Sequence, residues 1–354
     1  MIKDIDKRMH FTSELQEKNI DIYNALEDVF YVHGMTRPKS EDMPFCRMPT
    51  EIAEKVSPSI FELHKQTPGG RIRFATDSDY IGIHAKLDNP WRISNTALSC
   101  TAGFDLYRTE DGVQKHIRAF IPPADFVDEF CSEWYLTEKK MHEYTLYFPI
   151  FSGVYSLDIL LKQGAILKKA SGYKHKSPVV FYGSSITHGG CVSRPGISYP
   201  AIISQRLDCD YLNLGFSGSA KGEKEMAEYI ASLDMSVFVY DYDYNSDYEE
   251  LCVNHEKMFQ IIREKQPELP IICVSKPDYS YDPEENEKRL QCILKTVNNA
   301  KAKGDKNVYF ISGNSFFDEL PVRDYAFVDG CHPNDIGQLC MANVIGKKVK
   351  ELLE

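Results

Sequence analysis

In the stretch Val179-Val-Phe-Tyr-Gly-Ser-Ser-Ile-Thr-His-Gly-Gly190, two serines stand side by side where an apolar run gives way to glycines. A hydroxyl at a strand-to-helix junction is exposed, and the first free helical amides set positive potential beside it. That suits a nucleophile, and it equally suits an N-cap. A nucleophilic serine needs a base within hydrogen-bond reach. The base in turn needs a carboxylate to fix its tautomer and stabilise the imidazolium. The stretch Val328-Asp-Gly-Cys-His-Pro-Asn-Asp335 offers both. Asp329 precedes His332 by three residues, and a turn through Gly330 lets carboxylate and ring meet locally. Pro333 stiffens the exit, and Asn334 or Asp335 can cap the helix that follows. Of the ten histidines only His332 has this neighbourhood. His188 is too near the serines in the chain to be independent evidence, and His255 falls inside an expected helix.

Two further stretches could hold developing negative charge. Asn213-Leu-Gly-Phe-Ser-Gly-Ser-Ala220 ends an apolar run in glycines, so Gly215 or Gly218 can bring a backbone amide close to a ligand or simply form a tight turn. Asn245, in Val239-Tyr-Asp-Tyr-Asp-Tyr-Asn-Ser-Asp247, can donate its carboxamide to an oxyanion or cap the next helix. The loop 188–200 follows the serines directly and should border the same place. His188, Arg194 and Tyr199 are its candidate contacts to a sugar or an acidic group, and Arg194 is equally suited to bracing the loop against a carboxylate.

The elements that must position these groups follow from the periodicity after Ser171. Short apolar runs (Val179–Tyr182, Tyr211–Leu214, Val237–Tyr240, Ile271–Val274, Val308–Ile311) alternate with helical patterns at roughly 197–208, 222–233, 249–266, 283–303 and 335–353. Five strands separated by helices imply right-handed crossovers and a parallel sheet covered on both faces. In such sheets functional groups collect at the carboxyl ends of the strands. The last helix should bury Ile336, Leu339, Cys340, Ala342, Val344, Ile345, Val349 and Leu352 on one broad apolar face. The first half alternates with period two and is rich in aromatics, as in Gly70-Arg-Ile-Arg-Phe-Ala-Thr-Asp-Ser-Asp-Tyr-Ile-Gly-Ile-His-Ala-Lys-Leu87. A hairpin around Glu110-Asp-Gly112 fits the same scheme, so an all-β, jelly-roll-like antiparallel sandwich is expected. The expected domains are 1–172 and 173–354.

Composition narrows the partners. A net charge of −11 with no long Lys/Arg run argues against nucleic acid and anionic membrane surfaces. No apolar stretch approaches the roughly 20 residues that span a bilayer, and the charged first ten residues lack a signal peptide's apolar core. A cytoplasmic location is expected. The ten cysteines are scattered without a C-x-x-C pair, which favours reduced core thiols over disulfides or metal ligands. No metal and no cofactor is expected.

Taken together, the four stretches resemble the blocks of the SGNH hydrolases, also called GDSL esterases or lipases. The blocks read here as Gly183-Ser-Ser185-Ile-Thr, Asn213-Leu-Gly-Phe-Ser-Gly218, Asn245, and Asp329-x-x-His332-Pro. Ser184 stands where the family name has aspartate, and Tyr244-Asn-Ser-Asp247 replaces Gly-Gly-Asn-Asp. The longer form of the first block and Gly69-Gly-Arg-Ile-Arg-Phe-Ala-Thr-Asp-Ser-Asp-Tyr-Ile-Gly-Ile83 are similar to a two-domain branch with an N-terminal β-sandwich, which includes carbohydrate deacetylases and acyltransferases. The resemblance implies a flavodoxin-like α/β/α domain with strand order 2-1-3-4-5. It makes Ser185 the nucleophile, His332 the base and Asp329 its partner, with the amides of Ser185 and Gly218 and the Asn245 side chain as oxyanion hole. A small-molecule ester, an acylated sugar among the options, is the implied partner. No apolar segment looks like a lid for long acyl chains, so acetyl-type esters are expected first. An acyltransferase using the same serine, or a catalytically silent carbohydrate-binding protein, are the alternatives.

Overall fold

The computed structural model describes residues 5–6, 10–36, 43–277 and 282–354. They fall into two compact units. One takes the chain up to Arg47, Lys65–Gly172 and Ser193–Gly196; the other takes Met48–His64, Tyr173–Val192 and Ile197–Glu354. The contiguous division expected at 172/173 is therefore crossed by two segments.

The first unit holds β1 (Ile20–Asn24), β2 (Tyr31–His33), β3 (Arg71–Thr76), β4 (Tyr80–Asp88), β5 (Phe104–Glu110), β6 (Val113–Phe120), β7 (Glu129–Tyr135), β8 (His142–Tyr147), β9 (Gly153–Lys162) and β10 (Leu167–Lys168). They form two antiparallel sheets, β1-β9-β4-β7 and β10-β3-β8-β5-β6, with β2 also pairing β3. The period-two pattern explains the core. Ile72 and Phe74 from one sheet and Ile81, Ile83 and Ala85 from the other are fully buried in a single cluster with Phe104, Leu106 and Leu161. The β5–β6 hairpin closes through Asp111 and Gly112, with φ of 52° and 77°. Two consecutive positive φ values make the primed turn that Asp-Gly favours.

The second unit is built on five parallel strands: β11 (His175–Gly183), β12 (Cys209–Gly215), β13 (Val237–Asp241), β14 (Ile271–Val274) and β15 (Val308–Ile311). Their order is β12-β11-β13-β14-β15, the 2-1-3-4-5 arrangement. The helices are α1 (Thr50–Val56), α2 (Pro58–Leu63), α3 (Ser185–His188), α4 (Tyr199–Leu207), α5 (Lys224–Ala231), α6 (Tyr248–Lys265), α7 (Pro283–Ala302) and α8 (Asp335–Leu353). Helix α1 packs on α5, which is why segment 48–64 belongs with this unit. Asp247 and Asp282 cap α6 and α7 by accepting from the amides of Glu250 and Glu285. Cys252 on α6 and Cys292 on α7 are joined as a disulfide, with Cα atoms 5.1 Å apart. The expectation of reduced thiols does not hold for this pair, because adjacent helices bring the two positions face to face. No helix among the described residues is long and apolar enough to cross a membrane.

Helix α8 differs from its expected face. Ile336 and Leu339 are exposed, and the buried side is Gly337, Gln338, Met341, Ala342, Ile345 and Val349. A polar residue is drawn inward because it has two backbone partners there: Gln338 Oε1 accepts from the Tyr199 amide at 2.8 Å, and its Nε2 donates to the Ile186 carbonyl at 3.2 Å.

Candidate active site

Strand β11 stops at Gly183 because the next turn must pack tightly. A Cβ on Gly183 would lie 2.1 Å from Thr187 Oγ1 and 2.2 Å from the Asp241 carbonyl oxygen. The chain then turns into the single helical turn α3. Ser184 is its N-cap, accepting from the Ile186 amide at 3.2 Å, so the two serines separate by role. Ser184 satisfies the turn and Ser185 is left to face outward. Ser185 Oγ lies 2.9 Å from His332 Nε2, and His332 Nδ1 lies 2.9 Å from Asp329 Oδ2.

The turn carrying this pair is held by its own backbone. Asp329 Oδ1 accepts from the amides of Cys331 (3.1 Å) and His332 (2.8 Å), and Gly330 takes φ 79° between them. Val328 N–H donates to the His332 carbonyl at 3.0 Å. Asn334 caps α8 through the amides of Ile336 and Gly337, so the ring enters directly from a rigid helix start. The arrangement can move a proton from hydroxyl to imidazole and balance the resulting cation with a carboxylate.

A cavity of about 320 Å³ opens beside Ser185. It is lined by Ser184, Ser185, Ser217, Gly218, Asn245 and His332, with Asp243, Tyr244, Lys276 and Cys331 among its other walls. Gly218 sits at φ 69° with nothing within 4 Å of a would-be Cβ, so its requirement is conformational rather than steric. Asn245 does not cap a helix, since Asp247 does. Its Nδ2 donates to the Phe216 carbonyl at 3.0 Å, which ties it to the β12 loop and leaves one amide hydrogen to offer the cavity. Five residues singled out from the sequence, Ser185, Gly218, Asn245, Asp329 and His332, thus converge.

The three expected substrate contacts do not. His188 is fully buried at the end of α3, where its Nδ1 accepts from the Ser217 amide at 3.4 Å. Tyr199 is fully buried at the start of α4; its hydroxyl donates to Asp241 Oδ2 at 2.9 Å and lies 3.1 Å from Thr187 Oγ1. Both point inward because α3 packs on β11 and β12 and α4 packs on β12. Arg194 belongs to the sandwich unit. Its Nη1 donates to Asp105 Oδ2 at 2.6 Å and also bonds the Tyr107 hydroxyl. Asp105, with no exposed side-chain surface, also accepts from the Gly196 amide at 3.0 Å and lies 2.9 Å from His116 Nε2. The bracing alternative for Arg194 is the one realised.

Several residues escaped the sequence reading. Asp241, at the end of β13, accepts from Thr187 and Tyr199 and is pushed up to about 7, chiefly by burial. Asn213 donates from Nδ2 to the Thr187 carbonyl and accepts from the Gly215 amide, both at 2.8 Å. Their position at strand ends was the available signal. Cys191 is one of the scattered cysteines expected as reduced core thiols. Its sulfur, an Asp329 oxygen and a His332 nitrogen lie within 4.8 Å of one another, a set that could hold a metal ion.

Residues 176–350 match the GDSL-like Lipase/Acylhydrolase family, and residues 20–167 match GxDLY, the N-terminus of Esterase_SGNH_hydro-type. The latter region contains Gly103-Phe-Asp105-Leu-Tyr107, whose acid and phenol are the Arg194 partners. No curated protein matches the chain. Among solved structures, a GDSL-like lipase-family protein of Bacteroides ovatus ATCC 8483 is similar at 28% identity, with a TM-score of 0.83 over 95% of this chain and 98% of its own. The salicylyl-acyltransferase SsfX3 of a tetracycline biosynthetic pathway follows at 20% identity, TM-score 0.76 and the same coverage. Est2A, an acetyl xylan esterase of the rumen bacterium Butyrivibrio proteoclasticus, shares the fold at 13% identity and TM-score 0.58, covering 94% of this chain and 98% of its own. The chain belongs to the SGNH, or GDSL-like, lipase/acylhydrolase family and is an esterase or acylhydrolase.

Proposed function

We propose that the protein hydrolyses short, acetyl-type esters of a carbohydrate or another small polar alcohol through an acyl-enzyme on Ser185. The observation that carries this is the unbroken relay from Ser185 Oγ through His332 to Asp329, at 2.9 Å for each step. His332 Nε2 takes the Ser185 proton as the oxygen attacks the ester carbonyl, and Asp329 steadies the imidazolium. The amides of Ser185 and Gly218 and the Asn245 carboxamide hold the oxyanion. Collapse of the intermediate expels the alcohol, which receives its proton from His332. Water then repeats the sequence on the acyl-enzyme, with His332 again as base. Residues 173–354 are the catalytic domain in this scheme and 1–172 an accessory one.

A short acyl group is favoured by the size of the cavity, about 320 Å³, and by walls rich in Ser, Asp, Asn and Lys side chains. The likeness of fold to an acetyl xylan esterase points the same way. A panel of p-nitrophenyl esters from acetate to decanoate, run beside acetylated sugars, tests the proposal. Acetate and acetylated sugar should turn over fastest, and a preference for the long chains would defeat it. A fluorophosphonate should label the protein and fail to label Ser185→Ala. Acyl transfer is the second reading, supported by the likeness to a salicylyl-acyltransferase. Rising ester product with added alcohols, at constant enzyme acylation, would select it.

A further inference from the structure

We propose that Cys191, Asp329 and His332 form a binding site for a thiophilic divalent cation of the zinc class, and that occupancy of this site switches the esterase off. One donor atom from each of the three residues lies within 4.8 Å of the other two. The donors are a thiol sulfur, an imidazole nitrogen and a carboxylate oxygen. That mixture suits zinc and its soft neighbours, whereas magnesium and calcium take oxygen ligands. Ligand bonds of about 2.0–2.3 Å place neighbouring donors of a tetrahedral zinc roughly 3.5 Å apart. Closing the three donors onto one ion therefore takes side-chain shifts on the order of 1 Å, with the fourth position left to water.

The segment carrying the thiol is built against the ring. Gly190 N–H donates to the Ser185 carbonyl at 2.8 Å, and a Cβ on Gly190 would sit 3.7 Å from His332 Cδ2. Cys191 follows at once, buried to 8% exposure and with φ 69°. Nothing in the hydrolytic sequence uses its sulfur. Binding replaces the thiol proton by the metal and releases that proton to solvent, so affinity rises with pH. With a cation on either ring nitrogen, His332 Nε2 holds the metal or the ring's own proton and cannot accept the Ser185 proton, and an Asp329 oxygen on the metal no longer steadies an imidazolium. The inhibitory half of the inference rests on the proposed esterase function, while the binding half does not.

Calorimetric titration with zinc chloride, and the ultraviolet thiolate band on titration with cadmium, measure binding in the absence of any ester. Hydrolysis of p-nitrophenyl acetate with zinc, then with added chelator, measures the switch. One tightly bound zinc per chain, a cadmium–thiolate band, inhibition and full chelator reversal are expected. Cys191→Ser should keep turnover within a few-fold and need at least about tenfold more zinc for both binding and inhibition. Cys191→Gly, which removes the sulfur while suiting the left-handed backbone, should behave alike and guards against a folding defect. Cys331→Ser removes the thiol lining the cavity and should leave zinc sensitivity unchanged. Equal zinc sensitivity in Cys191→Ser and wild type, dependence on Cys331 instead, or an equal response to magnesium would overturn the site. Zinc binding at Cys191 in a protein that hydrolyses no ester, even with chelator, would uphold the site and defeat the esterase proposal alone.

Discussion

The rim of the parallel sheet and the layer just beneath it use the same side-chain types to opposite ends. At the rim, Ser185, His332 and Asp329 hold a hydroxyl, an imidazole and a carboxylate in line, and His332 and Asp329 keep 26% and 33% of their side-chain surface exposed. Beneath it, Thr187 and Tyr199 donate to Asp241, which is buried to 6% exposure, and His255 stacks on Tyr240 at 4.4 Å while its Nδ1 meets Thr296 at 2.8 Å. Burial lifts Asp241 to about 7 and depresses His255 to about 3. Desolvation is the largest cause of both shifts, and it marks structural carboxylates as readily as catalytic ones. Asp241 also borders the cavity, bonded to the Thr187 and Tyr199 hydroxyls, so what distinguishes the rim is a hydroxyl–imidazole–carboxylate relay that can pass a proton along.

Substitution of the two carboxylates puts the contrast to its hardest test. Asp329→Asn should lower kcat by about 10⁴-fold, because the amide favours the wrong imidazole tautomer, while the thermal midpoint stays near that of the wild type. A loss below tenfold would show that the rim carboxylate is no more catalytic than the one beneath. Asn245→Ala comes next, with an expected loss on the order of 10²–10³ in kcat and little change in KM. Helix α6 keeps its Asp247 cap in that variant, so circular dichroism melting should be unaltered. A parallel drop in stability would reassign Asn245 to the lower layer.

Much of the scaffold was legible because its signals are local. Ile271–Val274 and Val308–Ile311 are strands to the residue, the first an apolar run bounded by Pro270 and Ser275 and the second by Asn307 and Ser312. The helix expected at 283–303 runs Pro283–Ala302, with proline in its first turn and an aspartate cap before it. The four chemical blocks were legible too, since three sit where β11, β12 and β13 end and the fourth directly before α8. Side-chain destinations were not. His188 and Tyr199 lie in the right loop and face the wrong way, because the strand ends beneath α3 and α4 offer them partners that the sequence does not announce. Gln338 displaces Ile336 and Leu339 from the buried face of α8 for a similar reason. Hydropathy ranks a glutamine below either neighbour, yet two backbone groups in the interior need a donor and an acceptor. The Cys252–Cys292 pair depends on the register between two helices, which periodicity leaves open.

Gln338→Ala follows from that point and addresses the lower layer alone. It strips the Tyr199 amide and the Ile186 carbonyl of their partner in a buried place, at a cost of about 2–3 kcal/mol by urea denaturation. Turnover by the folded fraction should fall much less than in Asp329→Asn. If kcat instead fell as far, the layer beneath would have to be counted as part of the machinery.

The smallest effect is the most diagnostic, since it reads the buried carboxylate directly. Asp241 has its folded pKa raised from the ordinary 3.8 to about 7, first by burial and further by the neighbouring Asp243, against the hydrogen bonds of Tyr199 and Thr187. A carboxyl raised in the folded state binds its proton more tightly there than in the unfolded chain. Its contribution is fully present below about pH 4 and is lost as pH rises through about 7. Between one unit below and one unit above that value, the wild type should lose about 1.4 kcal/mol of unfolding free energy on this account. Asp241→Asn keeps an acceptor for Thr187 and Tyr199 and has no proton to lose, so its stability should be flatter by that amount over the same interval. The difference between the two pH profiles is the quantity to measure, because every other titrating group cancels in it. Identical slopes would mean that Asp241 is ionised throughout, and the layer beneath the rim would then carry a charge that the Tyr199 and Thr187 hydroxyls alone must balance.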